Sequence, residues 1–285
     1  MVSTSSTDDY PLPVAVFRNL VARGDVVRRD WWAMPTFTPL HRDLTFLAPL
    51  SESRANRLVR FLAEEAPSTV LDVGCGWGDL LLRVLEAAPG ARGLGVDLDE
   101  ESLTNAQRRA VDRGLAERAT FEAQDARAVT GSFGAVTCIG ASQIWGPEVE
   151  EAQPLDYAAA LTALRGLLPR AGRLVYGEGV WSAPPTPAAT APLAGRDDEY
   201  VTLGELIELA KAHGFAVLAA HEAGLDEWDT FESGFAAGYA RWLADHPADD
   251  PEAEEVRELA ARQHTAYFGG YRGILGLAYL HLVAV

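Results

Sequence analysis

The chain has 285 residues, 48% of them hydrophobic, enough for one large domain or a domain with a cap. Its formal net charge of −17 is the wrong sign for displacing counterions from polyphosphate, which excludes DNA, RNA and anionic membranes as expected partners. Cys75 and Cys138 make no disulfide framework and have no metal-ligand spacing. No run is apolar enough to span a bilayer and no export signal is visible, so a cytoplasmic location is the expectation.

Residues 1–9 read as a frayed tail. Residues 10–50 carry Tyr10, Phe17, Trp31, Trp32, Phe37 and Phe46 with no sustained period, which predicts a cap segment. Ser51 offers a helix N-cap, and Leu58, Phe61 and Leu62 repeat at helical spacing up to Pro67. From residue 69 strands and helices alternate, the pattern of a parallel sheet covered on both faces. Strands are predicted at 69–73, 93–96, 119–123, 135–139, 173–177 and 215–220. Helices are predicted at 79–88, 99–113, 155–168 and 202–213, with a Pro-rich loop at 183–192. Residues 226–268 read as an inserted helical stretch, and the apolar segment 276–285 as a last strand. The division that follows is a tail and cap (1–50), an α/β core (51–225), a helical lid (226–268) and the final core strand (269–285).

The chemistry-bearing motif is V-L-D-V-G-C-G-W-G, residues 70–78. An apolar strand runs into a Gly-rich turn and then a helix, which lets backbone N–H groups approach a ligand. The dinucleotide pattern G-x-G-x-x-G needs a glycine at position 79, and the chain has Asp79 there, which counts against NAD. Asp97 closes the next strand about twenty residues on, the spacing at which an acid accepts from ribose hydroxyls. Asp125 closes the strand after that, suited to an adenine amino group. In an open parallel sheet all three lie at the ligand edge.

On these residues the chain resembles the class I S-adenosylmethionine (SAM)-dependent methyltransferases, from about residue 68 to residue 181. The resemblance implies a Rossmann-like α/β fold: a seven-stranded, mostly parallel sheet with the last strand antiparallel. It implies SAM as cofactor, with Gly74 and Gly76 approaching its methionine part and Asp72 supporting the turn. Cys75 counts with these contacts, and as a small packing residue rather than a nucleophile. Asp97 is implied to hold the ribose, Leu98 to pack on adenine, Asp125 and Ala126 to read its edge, and Gly140 to Ser142 to line the methyl end.

Outside this signature the sequence gives candidates with two readings each. The chain reads I-G-A-S-Q-I-W where amino-group DNA methyltransferases carry an N-P-P-Y-like tetrapeptide, and no acidic metal cluster accompanies it. Glu178, in Y-G-E-G-V-W just past the fifth predicted strand, either accepts a substrate proton or binds N–H groups of its own loop. His41 is a second candidate base. Trp145 and Trp181 either line a substrate pocket or close the sheet edge. Trp228, Tyr267 and Tyr271, with Trp32 and Phe37 of the cap, are candidates for an aromatic chamber under the lid; the alternative is that the inserted helices only add core. Glu227, Asp229 and Glu232 are expected to cap the inserted helix. The resulting expectation is methylation of a small molecule by SAM without a metal. The alternative is a SAM-fold protein that does not methylate, catalysing a SAM-assisted cyclisation or rearrangement or serving as a binding partner.

Overall fold

The computed structural model describes residues 42–146, 154–193 and 195–285. His41, Trp32, Phe37 and the rest of the cap ahead of residue 42 lie outside the described residues.

Ser51 accepts a hydrogen bond from the Arg54 N–H and starts helix α1, Glu52–Ala63, which buries Ala55, Leu58, Phe61 and Leu62. The strands are β1 (Thr69–Val73), β2 (Arg92–Asp97), β3 (Ala119–Ala123), β4 (Ala135–Ile139), β5 (Arg173–Trp181), β6 (Phe215–Glu222) and β7 (Leu275–Ala284). Between them run α2 (Asp79–Ala87), α3 (Glu100–Asp112), α4 (Tyr157–Gly166), the single turn α5 (Pro187–Thr190) and α6 (Leu203–Ala212). Asp99 caps α3, and Thr202 with Glu205 makes a capping box on α6. The segment before β7 forms α7 (Leu225–Asp245) and α8 (Ala253–Ala266), and a π-helical turn, Tyr267–Tyr271, leads into the strand.

The seven strands form one sheet in the order β3-β2-β1-β4-β5-β7-β6, parallel except for β7, which runs antiparallel to both of its neighbours. One face packs on α1 and α2 through Leu58, Leu62, Leu81 and Leu85. The other packs on α4 and α6 through Leu161, Leu164 and Leu206. The order reverses at β1 and β4, so a crevice opens at their carboxyl ends.

Strand β5 is longer than its sequence pattern suggests. It pairs with β7 from Arg173↔Val283 to Trp181↔Leu275, whereas its pairing with β4 stops at Ile139↔Gly177. Glu178 therefore sits inside a strand, and not in a loop beyond it. Gly177, the last residue of the predicted strand, and Gly179, which reads as lying beyond it, are places where a side chain has no room. A Cβ at Gly179 would lie 2.6 Å from the Tyr200 ring, and one at Gly177 3.0 Å from Ile139.

Helix α7 packs on the crevice side of the molecule through residues 42–50, which form a strap across it. The Trp77 indole in the Gly-rich turn donates to the Thr45 carbonyl at 2.6 Å, and the Tyr279 hydroxyl donates to the Pro49 carbonyl at 3.0 Å. On the other side of the strap, Asp43 pairs with Arg241 and Leu44 packs against Gly234, both of α7. Of the three acids expected to cap α7, Glu227 alone does so, accepting from the Gly224 N–H at 2.7 Å. Asp229 accepts instead from Tyr267 (2.6 Å) and Arg272 (2.8 Å), and Glu232 from Tyr271 (2.8 Å) and Gln263 (3.1 Å). Those two acids leave the cap because they meet donors of the π turn, of α8 and of Arg272. Among the described residues no helix is long and apolar enough to cross a membrane.

Candidate active site

The turn after β1 holds Gly74, Gly76 and Gly78 at positive φ (65°, 49° and 72°). The Gly74 and Cys75 N–H groups both donate to the Val96 carbonyl, at 2.9 and 3.1 Å. Gly78 is packed on Phe121, whereas a Cβ at Gly76 would meet nothing within 4 Å. The turn thus leaves open space at one glycine and closes at the others. The Asp97 carboxylate accepts from the Gly76 N–H at 2.8 Å and from the Asp99 N–H at 3.0 Å. The acid at the end of β2 and the turn after β1 are therefore one unit, a link that spacing alone does not reveal.

Asp72, buried beneath the turn, is pushed up to about 8, first by burial and then by the charge of Asp97. Burial also raises Asp97, against the pull of its two N–H donors. The Cys75 thiol is pushed well up by burial, with the Asp72 and Asp97 charges adding to it. Its sulfur lies 2.9 Å from where a Gly95 Cβ would stand, so it fills the space between the first two strands. Asp79, where a dinucleotide site would have glycine, is buried among Arg83 (2.6 Å), Arg109 (3.3 Å) and Arg113, and ties α2 to α3.

Leu98, next to Asp97, is 53% exposed, an apolar side chain held at the crevice edge. Beside it, the Gln124 N–H donates to the Asp97 carbonyl at 3.1 Å, which brings the end of β3 alongside. There Asp125 caps the short turn Ala126–Ala128 and pairs with Arg127 at 2.7 Å; Ala126 is buried. Open space at Gly76, a carboxylate at Asp97 and a bare apolar shelf at Leu98 make a cradle that fits a nucleoside-bearing cofactor.

On the other side of β1, Gly140 ends β4 at φ 65° and donates to the Gly177 carbonyl at 2.8 Å. Where β4 stops and β5 continues, Glu178 faces the gap. Its carboxylate accepts from the Gly179 N–H at 2.9 Å and from the Ser142 N–H at 3.1 Å. Ser142, fully buried, shares a 2.5 Å hydrogen bond with the Tyr176 hydroxyl. Burial, followed by the charge of Glu178, pushes the Cys138 thiol and the Tyr157 and Tyr176 hydroxyls well up, so all three stay neutral.

Glu178 lines a cavity of about 30 Å³ together with Gly140, Tyr200, Trp228, Leu277 and Pro49 of the strap. Of the aromatic candidates among the described residues, Trp228 is in this wall and Trp145, Trp181, Tyr267 and Tyr271 are elsewhere. Trp181 is buried with its indole donating to the Asp197 carbonyl at 2.8 Å and its ring edge-on to Tyr200. Tyr267 and Tyr271 are core residues whose hydroxyls are committed to Asp229 and Glu232. Trp145 is half-buried against the α4 side of the sheet. Sequence reasoning missed Tyr200, Pro49 and Leu277 as wall residues. Tyr200 stands two residues ahead of a readable N-cap, Thr202, but nothing in its own context marked it.

The comparisons with known proteins agree with this geometry. The family model described as a methyltransferase domain matches residues 70–161. The demethylmenaquinone methyltransferase of Thermus thermophilus is 36% identical over 165 residues, 57% of this chain and 67% of that protein. Escherichia coli YjhP, an uncharacterized protein, is 28% identical over 225 residues, 77% of this chain and 87% of its own. Among solved structures, a SAM-dependent methyltransferase from Geobacter sulfurreducens in complex with S-adenosyl-L-homocysteine aligns with a TM-score of 0.74 at 28% identity, covering 86% of this chain and 96% of that one. The chain belongs to the class I SAM-dependent methyltransferases.

Proposed function

We propose that this enzyme transfers the methyl group of SAM to a small, largely apolar molecule, and that Glu178 takes the proton the nucleophile loses. The observation that carries this reading is the carboxylate of Glu178, 6% exposed, in the wall of an otherwise apolar cavity at the edge that also holds Gly76 and Asp97. SAM supplies a methyl carbon already activated by its sulfonium, so the protein's part is to align the nucleophile and remove a proton. Gly74 and Gly76 offer close backbone approach to the amino-acid end, with Asp72 and Cys75 packed beneath. Asp97 accepts from the ribose, Leu98 lies under the base, and Asp125 with Ala126 meets its edge. Gly140 and Ser142 border the methyl end. The two N–H groups on Glu178 fix its carboxylate in one orientation, as a positioned base requires.

The test is mass spectrometry of a metabolite extract incubated with methyl-labelled SAM. The expected result is label in a small-molecule fraction, absent from protein and RNA. With that product in hand, Glu178→Gln should lower kcat by about a hundredfold or more while leaving S-adenosylhomocysteine affinity unchanged. Label appearing only in macromolecules overturns the substrate class, and a Glu178→Gln enzyme with native kcat removes the base.

A further inference from the structure

Trp228 differs from the other buried indoles near the site. Trp77 donates to Thr45 and Trp181 to Asp197, whereas the Trp228 Nε1–H is buried without an acceptor, on a residue only 5% exposed. A buried, unpaired N–H is costly, so it calls for an acceptor, either a water or an atom of a ligand. The indole is held firmly: it packs edge-on to Phe231 and Tyr271, at centroid distances of 6.1 and 6.3 Å. It also lines the same cavity as Glu178. A space of about 30 Å³ has room for roughly one water molecule, so its walls lie within reach of a single functional group.

We infer that Trp228 is the substrate's hydrogen-bond donor, which makes the ligand an apolar body carrying a neutral acceptor, a carbonyl or ether oxygen, close to the atom that is methylated. This rests on the methyltransferase reading above, whose proton acceptor Glu178 shares the cavity. The Glu178 carboxylate in the same wall disfavours an anionic acceptor such as a carboxylate or phosphate. Donor and acceptor on opposite chemistry give the site a sense of direction: the group that loses a proton faces Glu178, and the group that keeps its lone pair faces Trp228. A pocket built to hydrogen-bond a substrate atom rejects an analogue lacking that atom far more strongly than an apolar pocket does.

The test uses the full chain saturated with S-adenosylhomocysteine and labelled with ¹⁵N-tryptophan. The probes are acetophenone, its isostere α-methylstyrene, in which a methylene replaces the carbonyl oxygen, and benzoate. The Trp228 indole resonance is assigned from Trp228→Phe and, independently of that variant's folding, from nuclear Overhauser contacts to Phe231 and Tyr271. The expected result is a saturable downfield shift of that resonance with acetophenone and none with α-methylstyrene or benzoate. Acetophenone should bind Trp228→Phe at least tenfold more weakly, with S-adenosylhomocysteine affinity unchanged. No shift with acetophenone, the same shift with both isosteres, or equal affinity in a folded Trp228→Phe overturns the inference. Calorimetry keeps the two readings apart: a wild-type chain that fails to bind S-adenosylhomocysteine sinks the methyltransferase reading, whereas one that binds it without a Trp228 response sinks only this one.

Discussion

Asp97 does two jobs at once, and this decides how its loss should look. It accepts from Gly76 and Asp99, so it holds the shape of the Gly-rich turn, and it is the proposed ribose acceptor. Asp97→Ala should lower S-adenosylhomocysteine affinity by about a hundredfold or more, since charge-assisted hydrogen bonds to two hydroxyls amount to roughly 3 kcal/mol. It should also lower stability by about 1 kcal/mol, because two N–H groups lose their acceptor. Asp125→Ala should weaken binding less, because Asp125 is already partnered by Arg127. Near-native calorimetric affinity in Asp97→Ala would remove the ribose assignment. Asp72 gives a second, opposite signature. Its folded value of about 8 stands above the ordinary 3.8. A carboxyl raised on folding stays protonated in the native state while the unfolded chain ionises, so it lowers stability as pH climbs from about 4 to about 8. Urea melts should show wild-type stability falling relative to Asp72→Asn across that range. A difference that is flat with pH would contradict the buried, protonated acid.

At the scale of elements, the junction of α1 and α7 is a clamp. The Glu227 carboxylate accepts from Arg54 (2.7 and 2.9 Å), the Ser51 hydroxyl (2.6 Å), the Ser51 N–H (2.9 Å) and the Gly224 N–H (2.7 Å). Burial raises it, but these donors outweigh burial and leave it lowered to about 2 from an ordinary 4.5. A carboxylate lowered on folding stabilises fully above its unfolded value and loses that stabilisation as pH falls from about 4.5 toward 2. Glu227→Gln should therefore cost on the order of 2 kcal/mol at pH 7, measured by chemical melts, and the gap should close by about pH 2. A gap that persists in acid would mean the loss is packing and not charge. The sequence announced some of this architecture and hid the rest, for a physical reason. Periodicity and caps are local, so Ser51, Asp99 and Thr202 marked real helix starts, and the parallel strands stood out as short apolar runs. The Gly-rich turn with Asp97 and Asp125 was equally plain, because one ligand edge collects residues from successive strand ends. The length of β5 was hidden, since Gly179 reads as a residue beyond the strand until Tyr200 is seen against it. Likewise the contact of Leu44 with Gly234 joins distant parts of the chain, and no local pattern encodes it. The same limit explains why Tyr267 and Tyr271 read as pocket aromatics while their hydroxyls are spent on α7.

The whole molecule carries a net charge of −17, and several of its described arginines are paired with acids. Arg83, Arg109 and Arg113 converge on Asp79, Arg54 on Glu227, Arg173 on Glu64 and Glu65, and Arg272 on Asp229. Positive charge is thus used to stitch elements together, while the acids dominate the field outside. Such a field repels polyanions, and duplex DNA or RNA should not be retained in a filter assay even at low salt. The same field acts on the cofactor. SAM carries one more positive charge than S-adenosylhomocysteine, at the sulfonium, and the two are otherwise nearly the same shape. An acidic crevice edge, with Asp97 and Asp125 at the ends of adjacent strands, should draw the cation inward and leave the neutral product to diffuse. Steering of this kind is screened once the Debye length shrinks to about 10 Å at 0.1 M salt. Stopped-flow association of SAM should therefore slow severalfold between low salt and physiological salt, while S-adenosylhomocysteine keeps a nearly constant rate. Parallel salt dependence of the two ligands would show that the charge serves only to keep polyanions away.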